Sequence, residues 1–110
     1  MTNLPAPLEH LPDESSRTRG AGVAAAAARL RAAGVEPTSW SNGPGDEYGA
    51  HEHGFTKLLI CAEGTITFSI GPDSNPVDLT PGDGFVLPPR TRHSAVVGPD
   101  GCTCVEGHRG

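Results

Sequence analysis

His51, Glu52 and His53 place two imidazoles two residues apart at the start of a short apolar run, and a third, His93, follows the turn-like segment Pro88, Pro89, Arg90, Thr91, Arg92. In an extended strand alternate side chains share a face, so His51 and His53 project together, as two ligands of one metal ion must. Neutral imidazoles suit Fe, Zn, Mn, Ni or Cu, and three of them leave a position open for water or a substrate. The spacing of His51 and His53 therefore makes a divalent transition-metal site the leading idea, with His93 as a further imidazole. The plainer alternatives are polar pocket residues with no metal, or surface histidines unrelated to one another. The same alternation runs on through Phe55, Lys57, Leu59 and Cys61. A lysine thus stands where a further ligand from this strand is expected.

Other chemistries find less support. Ser69, Ser74 and Ser94 lie in no nucleophile elbow and have no visible base partner, which argues against acyl transfer. No paired carboxylates motivate glycoside hydrolysis. Cys61 falls on the face of His53 and Lys57 and reads as a small buried residue. Cys102 and Cys104 share a face of a late strand with Glu106; a C-x-C pair can bind metal, but with no second pair nearby they read as core residues. Glu52 faces away from its histidine neighbours and is expected in solvent, as are His10 and His108 near the chain ends. Trp40, Glu47, Tyr48 and Arg92 are candidates to line or close the mouth of a site.

Composition bounds the class. A chain of 110 residues is one domain by size, and 15 glycines, 11 prolines, few aromatics and 19% charged residues suit short strands joined by many turns. The net charge of −5, without long runs of one sign, offers no basic face to a phosphate backbone, so nucleic acid is not expected as a partner. An attached helix-turn-helix domain is not expected from this short sequence. No run reaches the roughly 18 apolar residues of a membrane span. Residues 17–28 have basic and apolar parts, but the apolar part is mostly alanine and Arg29 and Arg31 follow at once, unlike a signal peptide. Cys102 and Cys104 are too close to bridge without strain and three thiols cannot all pair, so a reduced, cytoplasmic setting is expected.

The elements that must position these residues follow from the turn chemistry. Residues 1–19 are rich in proline and polar side chains without a period, and predict an irregular or partly disordered arm. Residues 20–33 read as a helix with a weak stripe of Val23, Ala27 and Leu30, stopped by Gly34, with Arg29 and Arg31 favourably placed at its C-terminal end. Strands are expected over residues 38–41, 50–62, 65–70, 76–79, 84–87, 93–97 and 102–107. Turns are expected at residues 42–45, 63–64, 71–73, 81–83 and 98–101. Strands at this spacing predict a sandwich or small barrel. Leu58, Leu59 and Ile60 are apolar on both faces, so their strand should be covered outside as well, by the helix or by a second subunit.

Residues 45–97 resemble the cupins, small β-barrels with two short motifs. The first motif runs Gly, five residues, His-x-His, three or four residues, Glu, six residues, Gly; here Gly45, His51, His53 and Gly64 match, and Lys57 replaces the glutamate. The second runs Gly, five residues, Pro-x-Gly, two residues, His, three residues, Asn; Gly82, Pro88 and His93 match, while Arg90 and Val97 replace the glycine and asparagine. The resemblance implies an all-β double-stranded β-helix (jelly-roll barrel) over residues 37–110, preceded by an arm and short helix over residues 1–36. It implies His51, His53 and His93 as metal ligands, and a homodimer of the kind small single-barrel cupins often form.

Lys57 governs how far the family's chemistry transfers. An ammonium about 4 Å from a unit of like charge costs on the order of 4 kcal/mol at an effective dielectric of about 20, and about twice that beside a 2+ ion. Three outcomes are open: Lys57 is neutral, through metal and burial; it turns to an acidic partner; or metal occupancy is poor. Loss of the glutamate also leaves the site without an internal anion, which favours a small anionic ligand. A lysine that only snorkels from the barrel mouth is the bland reading. Two functions follow. One is a metal-dependent enzyme, dioxygenase- or isomerase-like, acting on a small anionic substrate with Lys57 as base or substrate clamp. The other is a non-catalytic binding or sensing module whose metal site is altered or lost.

Overall fold

Two long antiparallel strands carry the architecture, β3 (Thr56–Ile70) and β6 (His93–Arg109). They pair along nearly their whole lengths, from Thr56 opposite Arg109 to Ile70 opposite His93, with register shifts near Cys61/Glu63 and Gly64/Ile66. The structure, a computed structural model, describes residues 4–12 and 22–110. Four short strands complete an antiparallel sheet: β1 (Thr38–Asn42), β2 (Glu47–His51), β4 (Asn75–Leu79) and β5 (Gly84–Leu87). β1 adds to the C-terminal half of β6 and β2 to its N-terminal half, while β5 and β4 add to the two halves of β3. The result is the jelly roll that the cupin resemblance implies.

The expected turns at residues 63–64 and 98–101 are bends within β3 and β6 instead. Gly64 and Gly101 both have positive φ, 70° and 78°, and a Cβ on Gly64 would lie 1.9 Å from the Gly101 carbonyl oxygen. The two glycines let the long strands cross and bend where they touch, which is the work of a bulge rather than a chain reversal. Conversely, the strand expected over residues 50–62 is broken. β2 ends at His51 and β3 begins at Thr56, with Gly54 in the intervening loop.

The alternation sorts β3 into two cores. Leu59, Cys61, Ile66, Phe68 and Ile70 face the barrel interior with Phe85, Leu87, Val97, Cys102 and Cys104. Leu58, Ile60 and Ala62 face outward, with Val86 and Val105, against Ala26 and Leu30 of the helix α1 (Val23–Ala32). The helix thus covers the outer face, and each fully buried Leu or Ile there contributes about 1.5–3 kcal/mol. The dimer expectation loses the support it drew from that face. Ala26, Arg29 and Leu30 form the buried stripe, so Arg29 acts by packing and by donating to the Gly82 carbonyl at 2.8 Å rather than as a solvated cation at the helix end.

The arm is more ordered than its composition predicts over the part described. Glu9 and Val86 exchange both backbone hydrogen bonds, at 3.1 and 2.8 Å, so the arm caps the free edge of β5. Leu8 packs into the barrel core and Leu11 under the helix. Residues 13–21, which include the rest of the arm and the expected start of the helix, lie outside the described residues.

Candidate metal centre

The pairing of β2 with β6 sets His51 directly opposite His93, one at the end of its strand and the other at the start. His53 reaches them from the loop, not from a continuing strand as alternation alone suggests. Its carbonyl accepts the Arg90 N–H at 2.7 Å, and its ring stacks on Phe55 with centroids 4.8 Å apart. The three rings converge, with centroids 4.3 Å apart for His51 and His93, 4.8 Å for His51 and His53, and 5.2 Å for His53 and His93. One ligand atom from each lies within 4.8 Å of the others, so the three histidines could hold a metal ion. Bonds of about 2.0–2.1 Å at tetrahedral angles place nitrogens roughly 3.4 Å apart. The three nitrogens must therefore draw closer together to share one ion.

The hydrogen bonds choose the nitrogen. His51 Nδ1 lies 2.7 Å from the Gly49 carbonyl and His93 Nδ1 lies 2.9 Å from the Thr91 carbonyl. A carbonyl only accepts, so both Nδ1 atoms carry hydrogen and both Nε2 atoms offer lone pairs. This is the outer-shell arrangement that fixes ligating imidazoles. His53 Nε2 is buried and has no hydrogen-bond partner. An orphaned nitrogen costs about 1–3 kcal/mol of desolvation unless something binds it, and a metal ion shared with the other two Nε2 atoms fits that need. Burial, then Lys57 and His51, holds His53 below the usual imidazole range, with Glu106 opposing. Burial likewise lowers His93, against the Thr91 carbonyl and with help from its charged neighbours. The neutral form is the one that ligates.

A cavity of about 180 Å³ opens beside the histidines. Leu59, Phe68 and Ala95 give it apolar walls, and His51, His93, Lys57 and Glu106 give it polar ones. Lys57 does point inward. It takes the second of its three open outcomes, with Nζ 3.4 Å from Glu106 Oε1, and that same oxygen accepts the Trp40 Nε1–H at 2.7 Å. The inference that the site lacks an internal anion is therefore corrected, because the last strand supplies the carboxylate that position 57 lacks. Trp40 and Tyr48 line the mouth as expected, packed edge to face at 5.5 Å, and the Tyr48 hydroxyl donates to Asn42. Burial raises the Tyr48 phenol. Glu47, Glu52 and Arg92 are exposed and do not line the cavity. His10 and His108 are exposed, and the His108 ring lies over Phe55 at 4.5 Å.

Residues 34–105 match the AraC-like ligand-binding domain. The chain belongs to this cupin family. Solved structures of similar shape include an RmlC-like cupin from Shewanella frigidimarina, 26% identical over 67% of this chain and 64% of that chain, with a TM-score of 0.59. KdgF from a Halomonas species is 23% identical over 67% of this chain and 68% of that one, with a TM-score of 0.56. The DMSP lyase DddQ from Ruegeria pomeroyi is 20% identical over 67% of this cupin and 37% of the lyase, with a TM-score of 0.62. This cupin therefore spans less than two thirds of the length of the Shewanella protein and of the lyase. No curated protein matches it.

Glu106 is the site residue that sequence reasoning missed. Its signal was its phase: it continues the inward face of Cys102 and Cys104, where an acid is not expected without a partner.

Proposed function

We propose that this cupin is a metal-dependent protein that takes a small anionic molecule into its barrel, with Lys57 and Glu106 as the groups that clamp the ligand or move its protons. The observation that carries this reading is the buried, unpartnered His53 Nε2 facing two imidazoles whose Nδ1 atoms are both committed to backbone carbonyls. A divalent Fe, Zn, Mn, Ni or Cu ion held by His51, His53 and His93 would supply Lewis-acid or redox chemistry, of the kind dioxygenase- and isomerase-like reactions use.

The chain's own groups define the ligand. Lys57 and Glu106 cancel each other's charge and the imidazoles are neutral, so a loaded site carries the ion's net positive charge and favours a carboxylate or oxyanion. The Trp40 Nε1–H holds Glu106 Oε1 in place, which leaves the Lys57 ammonium able to turn toward an entering carboxylate. Glu106 is placed to accept a proton from a substrate bound beside Lys57. The volume is close to the roughly 150 Å³ of an engineered cavity that admits benzene, so the ligand is small and partly apolar. Three cysteines that cannot all pair within the chain, and the resemblance to small single-barrel cupins, support a cytoplasmic homodimer.

A second reading, a non-catalytic binding module, is favoured by one observation: Lys57 occupies the place of the acid that relatives use as a ligand. Calorimetry on chelator-stripped protein separates the two. Titration with Zn²⁺ or Mn²⁺, then with small carboxylates and matched amines, should show one metal site and carboxylate binding that strengthens on loading. His53→Ala should abolish both. Carboxylate binding indifferent to metal favours the binding module, and preference for amines removes the anionic ligand.

A further inference from the structure

Three consecutive residues of the turn between β5 and β6 hold the surroundings of the histidines together. The Arg90 N–H donates to the His53 carbonyl at 2.7 Å, the Thr91 carbonyl accepts from His93 Nδ1 at 2.9 Å, and the Arg92 carbonyl accepts the Gly71 N–H at 2.7 Å. The chain enters this turn from Leu87, opposite Lys57, and leaves it at His93, opposite His51. His51 and His93 have their rings fixed through Nδ1, whereas His53 lies off the strands and its Nε2 has no partner. Its main-chain tie to Arg90 thus bears directly on where that ring can reach.

Arg90 has a φ of 58°, in the left-handed region that glycine takes freely and a side chain makes costly. The residues before it have little freedom: the φ of Pro88 and Pro89 is fixed by their rings, and Leu87 and Pro88 each precede a proline and are held extended. The reversal of the chain falls on Arg90. Its φ is the first backbone angle between the N–H that meets His53 and the Thr91 carbonyl that meets His93. The Arg90 side chain is exposed, so what it brings to the site is its backbone, while Thr91 is buried and its carbonyl meets little competition from water. A residue in a costly conformation persists only where its surroundings hold it, and such residues gather at functional sites.

We propose that Arg90 is a positioning residue of the metal centre, whose left-handed backbone conformation aims its N–H at His53 while the Thr91 carbonyl orients His93, so that one turn sets two ligands from separate segments of the chain. The inference rests on the three-histidine reading above and adds to it a residue that touches neither the ion nor the ligand. Partners of this kind, which hold a ligating imidazole without binding the metal, carry much of a site's affinity.

The test is Zn²⁺ affinity, measured by calorimetry on the full chain after chelator treatment, beside the imidazole signals of His53 followed by nuclear magnetic resonance. Arg90→Val introduces a β-branched side chain that the left-handed region disfavours strongly. It should lower Zn²⁺ affinity roughly 10- to 100-fold, the usual effect of losing an outer-shell partner, and should move the His53 signals before any metal is added, with the circular dichroism of the barrel retained. Arg90→Gly takes the same φ freely and should bind as the native chain does. Equal affinities in Arg90→Val and Arg90→Gly, or His53 signals that stay in place in Arg90→Val, would overturn the proposal. Where Arg90→Val fails to fold, hydrogen exchange in the native chain decides: Zn²⁺ should slow exchange of the Arg90 amide, and an unchanged rate on loading would sink the idea. A native chain that binds no Zn²⁺ removes the three-histidine reading itself, whereas native binding that Arg90→Val leaves intact removes the role of Arg90 alone.

Discussion

Lys57 Nζ lies 3.4 Å from Glu106 Oε1 across β3 and β6, so the lysine that replaces the expected acid brings an acid with it from the last strand. The two side chains are only 14% and 26% exposed, and removing either leaves a partly desolvated charge. Glu106→Gln and Lys57→Met should each destabilise the fold by about 1–3 kcal/mol. The double variant should lose less than the sum of the two, measured by urea denaturation as a double-mutant cycle. Strictly additive losses would show that the pair does not interact.

Where the long strands bend, Gly64 has no room for a methyl group. Its Cβ would meet the Gly101 carbonyl oxygen at 1.9 Å and the Cys102 Cα at 2.9 Å, at a φ of 70°. Gly64→Ala should cost about 3–5 kcal/mol, at the upper end for single substitutions. Gly71→Ala has the same sign of φ but open space around it, so it should cost only about 1–2 kcal/mol. Thermal or urea melts of the two variants check the contrast.

The outer face of β3 belongs to the helix, and Leu30 is fully buried against it. Leu30→Ala should destabilise by about 2–5 kcal/mol. If that face instead met a second subunit, the loss would depend strongly on protein concentration. Melts at widely different concentrations distinguish the two.

Much of this arrangement was legible in the chain. The His-x-His spacing, the distant His93 and the turn residues between short apolar runs pointed to a barrel with three imidazoles inside. Two features were not legible, for physical reasons. A glycine with positive φ serves a bulge as well as a turn, so Gly64 and Gly101 could not reveal that β3 and β6 pass straight through them. An acidic partner was one of three outcomes left open for Lys57, and pairing with Glu106 depends on the register of β3 against β6, which local pattern does not specify. The break between His51 and Thr56 had the same origin, since Gly54 alone does not say whether the chain bulges or leaves the sheet.

Burial holds His53 and His93 below the ordinary imidazole value of about 6.5. Below about pH 6.5 the unfolded chain takes up protons that the folded chain refuses. The stability these residues contribute is thus complete above that pH and is lost as the pH falls through their lowered folded values. Metal-free protein should be less resistant to urea at about pH 5 than at about pH 7.5. His93→Gln should flatten the dependence, and an unchanged slope would contradict the assignment.

The most direct test of the account is the metal content of protein purified without an affinity tag, measured by elemental analysis beside His53→Ala and His93→Ala. The account predicts close to one divalent transition metal per native chain and its loss in both variants while the fold is retained by circular dichroism. Native protein that carries no metal, and that takes up none of Fe, Zn, Mn, Ni or Cu when each is supplied, would contradict it.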